Sequence, residues 1–263
     1  MNLLDTPRLA LITGAVEGGI GFRVAERMAA EGARIALVDI KEAAVVEAAA
    51  RLARESGCEA QGFVADIADP KSVAALARAV QAAMGPIEIL INCAAIVSDK
   101  LFLESEFADW SRMTEICLYG PMNLIKAFAP DMTERGYGRI VCLASDSARL
   151  GQARLSYYAA AKAGVIALCK SLAHELGPAS VTVNVVSPGA TNTSLRRARE
   201  ESLKAQMGPD NYAKREQKVV KMYPLRRIGE PDDIASMVAY VASDRAAWVT
   251  GQVVSVNGGF AMP

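Results

Sequence analysis

Leu9 to Asp39 reads LALITGAVEGGIGFRVAERMAAEGARIALVD. Leu9 to Thr13 is an apolar run of strand length, and Gly14, Gly18, Gly19 and Gly21 follow it at once. Phe22 to Glu31 then carries a helical pattern, and Arg34 to Asp39 is a second strand. Strand, glycine turn and helix in that order give a glycine motif its meaning. Glycines let the backbone turn tightly and approach a pyrophosphate, whose charge rests on the free N–H groups of the helix start. Asp39 closes the second strand eighteen residues after Gly21, near the distance at which a dinucleotide-binding unit places its ribose-binding carboxylate. No Gly-Lys-Ser/Thr follows the loop, which disfavours a nucleoside-triphosphate site.

The alternation continues outward from this unit. Lys41 to Ser56 is an Ala-rich helix, and Gly62 to Ile67 is a strand with Asp66 at its end. Asp69-Pro70 reads as an N-cap with proline at the first helical position, opening a helix to about Met84. Ile87 to Asn92 and Ile140 to Ala144 are further buried strands. Strands that alternate with helices imply an α/β fold: a Rossmann-type, doubly wound parallel sheet with helices on both faces, in a single domain over residues 1–263. No repeat, low-complexity tract or linker interrupts it.

Composition narrows the function. With 52% apolar residues the chain can bury a large core, and 29 basic against 29 acidic residues leave no global field for nucleic acid or anionic membrane. Five cysteines, odd in number and without a Cys-x-x-Cys, suggest neither a disulfide framework nor a metal site and fit a reducing, cytoplasmic setting. His174, the single histidine, falls in the polar half of a helical pattern, so a Ser-His-Asp or His-metal mechanism is poorly supplied. No stretch reaches the roughly 18 apolar residues of a membrane span, so a soluble protein acting on a small molecule is expected.

The chemistry concentrates between Ser145 and Lys162, SDSARLGQARLSYYAAAK. Tyr158 and Lys162 are four apart in an Ala-rich helical run, which puts phenol and ammonium on one face. The cation favours the phenolate and pulls its pKa down from about 10, as acid–base work near neutrality requires. Ser145 follows a buried strand, so its hydroxyl can face the tyrosine.

Together these stretches resemble the short-chain dehydrogenase/reductase family along nearly the whole chain. TGAVEGGIG is similar to the family's Thr-Gly-x3-Gly-Ile-Gly loop, Asp66 to its adenine-side acid, and Asn92-Cys93-Ala94-Ala95 to its Asn-Asn-Ala-Gly strand. Ser145, Tyr158 and Lys162 match its catalytic Ser, Tyr and Lys; Pro188-Gly189 with Thr193 matches its loop over the nicotinamide. Arg227-x-Gly229-x-Pro231, Thr250-Gly251-Gln252 and Gly258-Gly259 match its C-terminal signatures. The resemblance implies cofactor contacts from Gly14, Gly19, Ile20, Gly21, Asp39, Asp66, Ile67, Asn92, Ala94, Tyr158, Lys162, Pro188, Gly189, Thr191 and Thr193. Three departures stand out. The glycine loop has four residues rather than three between Gly14 and Gly19, Ala95 replaces a glycine, and Cys117 occupies the place of an Asn that helps hold a water linking the lysine to solvent.

The implied activity is interconversion of a secondary alcohol and a ketone by hydride transfer, with Tyr158 as acid or base and Ser145 holding the substrate oxygen. A sugar dehydrogenase acting on a hemiacetal hydroxyl would use the same residues, and a non-catalytic dinucleotide sensor would keep the fold alone. NAD is favoured over NADP, because Asp39 can accept from both ribose hydroxyls and would repel a 2′-phosphate; Glu17 adds a second acid and Lys41 an opposing charge. Ser147, Arg149 and Arg154 lie where relatives line the substrate pocket, and an arginine there suits an anionic substrate. Residues 194–222 form a lid in which Arg196, Arg197, Arg199, Lys204, Lys214, Arg215, Lys218 and Lys221 outnumber Glu200, Glu201, Asp210 and Glu216. The resemblance further implies a homotetramer, with residues 104–135, 156–176 and the C-terminal strand at its interfaces.

Overall fold

Apolar runs that would be insoluble as isolated strands are stacked side by side and covered from both faces. In the computed structural model, which describes residues 3–262, the chain order is β1 (Leu9–Thr13), α1 (Ile20–Ala30), β2 (Arg34–Asp39), α2 (Glu42–Ser56), β3 (Ala60–Val64), α3 (Pro70–Met84), β4 (Ile89–Asn92), α4 (Phe107–Thr114), α5 (Gly120–Arg135), β5 (Gly138–Leu143), α6 (Ser147–Leu150), α7 (Ser156–Leu176), β6 (Val181–Pro188), α8 (Ser194–Met207), α9 (Pro209–Lys221), α10 (Pro231–Val241) and β7 (Val253–Val256). A π turn over Glu115–Tyr119 joins α4 to α5.

The seven strands form one parallel sheet in the order β3-β2-β1-β4-β5-β6-β7. Every residue of β1, β4, β5 and β6 is buried, as a parallel sheet covered on both faces demands. One face packs against α1, α2 and α10 through Val24, Met28, Val45, Leu52, Ile234 and Val238. The other packs against α3, α5 and α7 through Leu76, Val80, Leu124, Phe128, Val165 and Cys169. Strand order reverses between β1 and β4, and the crossovers leave that point open at the carboxyl ends of the strands, where open α/β sheets bind their ligands.

Several limits differ from the sequence expectation, and two of them bear on candidate site residues. β3 ends at Val64, so Asp66 sits beyond the strand in the turn to α3, where its N–H donates to Ser72 Oγ and its Oδ1 accepts from Ala68 N at 2.9 Å. β5 ends at Leu143, although Ala144 N still donates to Val186 O at 2.9 Å, and Ser145 falls just past the ladder. The expected N-cap is present: Asp69 accepts from Lys71 N and Ser72 N, with Pro70 at the first helical position. Among the described residues no helix is long and apolar enough to cross a membrane. Asp69→Ala leaves two first-turn donors without that partner and is expected to cost about 1 kcal/mol, a fall of roughly 2–4 °C in melting temperature measured by calorimetry.

Candidate active site

A cleft of about 680 Å³ opens at the reversal point, lined by the glycine loop, the ends of β2, β3 and β4, and the first residues of α8. Gly14, Gly19, Ile20, Gly21, Asp39, Asp66, Ile67, Ala94 and Thr193 all face it. Gly21 has no room for a side chain, since a Cβ there would lie 2.5 Å from the Gly14 carbonyl oxygen. That contact lets α1 start directly against the end of β1. Gly19 caps α1 without a side-chain hydrogen bond, and the first turn carries no acid, so its N–H groups remain available to an anion. A flat apolar flank of Ile40, Ile67, Ile96 and Ile116 runs beside the two acids Asp39 and Asp66. Cleft, uncapped helix start and paired acids fit an adenine dinucleotide.

Asn92 lies behind this surface. It is 1% exposed, and its Oδ1 accepts from Thr13 Oγ1 at 2.7 Å while Thr13 Oγ1 accepts from Ala94 N, so Asn92 fastens β1 to β4 where the cleft begins. The longer glycine loop also acquires a role. Gly18, with φ of +77°, accepts from Ser194 N at 2.8 Å, and a Cβ there would come within 2.9 Å of Ser194 Cβ. Gly18 is thus the seat of α8. Glu17 pairs with Arg51 at 2.8 Å.

Tyr158 and Lys162 share the buried face of α7, 8% and 1% exposed. Lys162 Nζ donates to Leu143 O at 2.8 Å and lies 6.0 Å from the centre of the Tyr158 ring, and Ser145 is a neighbour of the phenol. Burial pushes the Tyr158 phenol above its ordinary range, and the Lys162 charge and Ser145 pull it down only in part. This differs from the sequence expectation of a net depression: the low-dielectric surroundings that make Lys162 effective also penalise the phenolate, and in the protein alone the penalty is larger. Ser147 donates its hydroxyl to Ser145 Oγ at 2.9 Å and orients it.

Cys117 is fully buried in the π turn, with Sγ 3.5 Å from Ile96 O and 3.6 Å from Met113 Sδ. Its thiol makes only weak polar contacts where the family's Asn would make strong ones. Pro121 has no N–H, so the helical hydrogen bond that would close on the Cys117 carbonyl from four residues ahead cannot form.

Arg149 and Arg154, like Ser145, Tyr158 and Lys162, lie outside the residues that line the cleft, and both are engaged by other segments. Arg149 Nη1 donates to Ser255 Oγ on β7 at 2.8 Å, and Arg154, at φ of +70°, pairs with Asp99, which also receives Arg199 of α8. Each guanidinium has found a partner on another segment, a pairing invisible at short range in sequence. Residues 194–222 fold as two helices, α8 and α9, joined by an ion-pair cluster in which Arg196 and Arg215 both meet Glu200 and Glu216. Their lysines point to solvent, and the surplus positive charge belongs to a solvated surface. Pro188, Gly189 and Thr191 form the turn after β6, where Gly189 N donates to Val256 O and Thr191 bridges to Gly229. Asp146, Ser194 and Leu195 also belong to this neighbourhood; an acid directly after a strand-end Ser was the available signal for the first of them.

A family model described as enoyl-(acyl carrier protein) reductase matches residues 14–261. An uncharacterised short-chain type dehydrogenase/reductase of Sinorhizobium fredii is 38% identical over 255 residues, 96% of each chain, and the 3-oxoacyl-acyl-carrier-protein reductase of Escherichia coli is 34% identical over 97% of this chain and 98% of its own. The chain belongs to the short-chain dehydrogenase/reductase family of oxidoreductases. Among solved structures, the L-sorbose reductase of Gluconobacter frateurii, complexed with NADPH and L-sorbose, superposes with a TM-score of 0.94 at 28% identity, covering 100% of both chains.

Two outcomes follow from the Tyr158 surroundings. Lys162→Met removes the main group opposing the burial penalty, so the pH profile of kcat/KM for alcohol oxidation should move to higher pH by roughly one pH unit; a profile that stays in place contradicts the assignment. Cys117→Asn restores a strong polar side chain and should raise Tyr158-dependent turnover, whereas an equal or lower rate would show that the main chain alone suffices.

Proposed function

We propose that the protein is an NAD-dependent oxidoreductase that interconverts a secondary alcohol and a ketone. The observation that carries this reading is the buried cluster of Tyr158, Ser145 and Lys162, in which the lysine charge acts on the phenol, in a fold whose reversal-point cleft fits a dinucleotide. When bound, the nicotinamide ring accepts or supplies the hydride. Ile20 and Gly21 offer N–H groups to the pyrophosphate beside the Gly14 and Gly19 turn, Asp39 the ribose acceptor and Asp66 with Ile67 the adenine edge. Lys162 holds the nicotinamide ribose, and Pro188, Gly189, Thr191 and Thr193 enclose the nicotinamide. Ser145 donates to the substrate oxygen as charge develops there. In the oxidation direction Tyr158, as phenolate, takes the hydroxyl proton; in reduction it returns one.

The preference for NAD is supported by Asp39 at the end of β2, placed to meet a 2′-phosphate with like charge. The sorbose reductase likeness supports a sugar or polyol as that ketone or alcohol; a sugar oxidised at its hemiacetal hydroxyl by the same three residues is the alternative. The non-catalytic sensor draws support from Cys117 alone. A homotetramer in a reducing cytoplasm completes the proposal; a groove of about 630 Å³ between α5 and α7, lined by Met122, Ile125, Leu168 and Leu172, supports a helical interface there.

The test is initial-rate NADH formation over alcohols, hydroxy acids, cyclic diols and free sugars. Activity should fall at least about a hundredfold in Tyr158→Phe. Silence across the panel with cofactor binding intact would favour the sensor. Asp39→Ser should shift the ratio of NAD to NADP affinity on the order of tenfold toward NADP, about 1.4 kcal/mol; an unchanged ratio, read by calorimetry, would remove Asp39 from cofactor selection.

A further inference from the structure

Asp146 follows Ser145 directly and is 2% exposed. Its carboxylate accepts from Ser187 Oγ of β6 at 2.8 Å, from Ser255 Oγ of β7 at 3.3 Å and from Asn257 Nδ2 just beyond β7, and its N–H donates to Pro188 O at 3.2 Å. Ser255 Oγ in turn receives Arg149 Nη1, the cation nearest the network in its hydrogen-bond chain. Both Asn257 amide hydrogens are engaged, since Nδ2 also reaches Ala261 O, and its Oδ1 accepts from Gly259 N. One buried acid therefore gathers donors from the two strands that follow Ser145 in the sheet.

The placement of those strands gives the network a purpose beyond cohesion. Ser187 immediately precedes the Pro188–Thr193 turn, and Asn257 is its floor, since a Cβ on Gly189 would lie 3.0 Å from Asn257 Cα and Cβ. On its other side Asp146 begins the short turn whose Ser147 orients the Ser145 hydroxyl. We propose that Asp146 is a positioning residue that holds the Ser145 hydroxyl and the Pro188–Gly189 turn in register, so that the substrate oxygen and the nicotinamide are presented to each other by one anchor. The inference deepens the proposed function and rests on its placement of the nicotinamide under that turn.

Asp146→Ala leaves the Asn257 amide and the Ser187 hydroxyl without their acceptor. Asp146→Asn keeps an acceptor for Asn257, and the serine hydroxyls can reverse to accept from the new amide, so it should rescue. Calorimetric titration with NADH and with ADP-ribose, which lacks the nicotinamide, separates positioning from general damage. The expected result is NADH affinity about tenfold weaker in Asp146→Ala, ADP-ribose affinity within about twofold of wild type, and most of the loss recovered in Asp146→Asn. Equal effects on both ligands, or no effect on either, would overturn the proposal. Should Asp146→Ala fail to fold, Ser187→Ala removes one donor and is read by the same pair of ligands. Wild-type protein that binds neither ligand would instead overturn the cofactor reading itself, and this inference with it.

Discussion

The reversal of strand order between β1 and β4 is the constraint on which the rest depends. Parallel strands need covered crossovers, and at the one place where crossovers depart in opposite directions the sheet's carboxyl edge stays open. Thr13 and Asn92 clasp the two strands at that edge through a 2.7 Å hydrogen bond, and each then turns away, one into the glycine loop and the other into the Cys93–Val97 segment. The cleft exists because those two exits diverge. Glycine at position 21 then lets α1 begin close enough for its N–H groups to form the floor.

Burial decides the chemistry at the other end. Lys162 is held by the Leu143 carbonyl deep in the fold, where a cation acts on a neighbouring phenol with little screening by water. The same burial raises the Tyr158 proton affinity, so the pair is balanced by opposed effects, with the phenol above its ordinary range in the protein alone. A bound cofactor that brings positive charge beside the phenol would move that balance toward the phenolate, coupling cofactor binding to proton release.

Local patterns made much of this legible in sequence. The limits of β1, β2 and α3 coincide with the apolar runs and the Asp69-Pro70 cap, because each is fixed by side chains within one element. Ser145, Tyr158 and Lys162 do converge, since helical spacing and a strand end suffice to bring them together. Long-range pairing was the hidden part. The destinations of Arg149 and Arg154 lie 106 and 55 residues away in the chain, and the seat of α8 on Gly18 depends on a contact between segments far apart in sequence. Asp146 shows the same limit, for its partners at 187, 255 and 257 meet it only once β5, β6 and β7 are side by side. The net direction of the Tyr158 shift also escaped, because spacing reveals a charge partner and says nothing of the desolvation opposing it.

The most direct measurement is a crystal structure of the protein with NADH and a bound alcohol or ketone. The account predicts adenosine against Asp39 and Asp66, and the nicotinamide beneath Pro188 and Gly189 with its reactive carbon roughly 3–3.5 Å from the substrate carbon whose oxygen meets Ser145 and Tyr158. A dinucleotide seated elsewhere, or one whose nicotinamide points away from Tyr158, would contradict it.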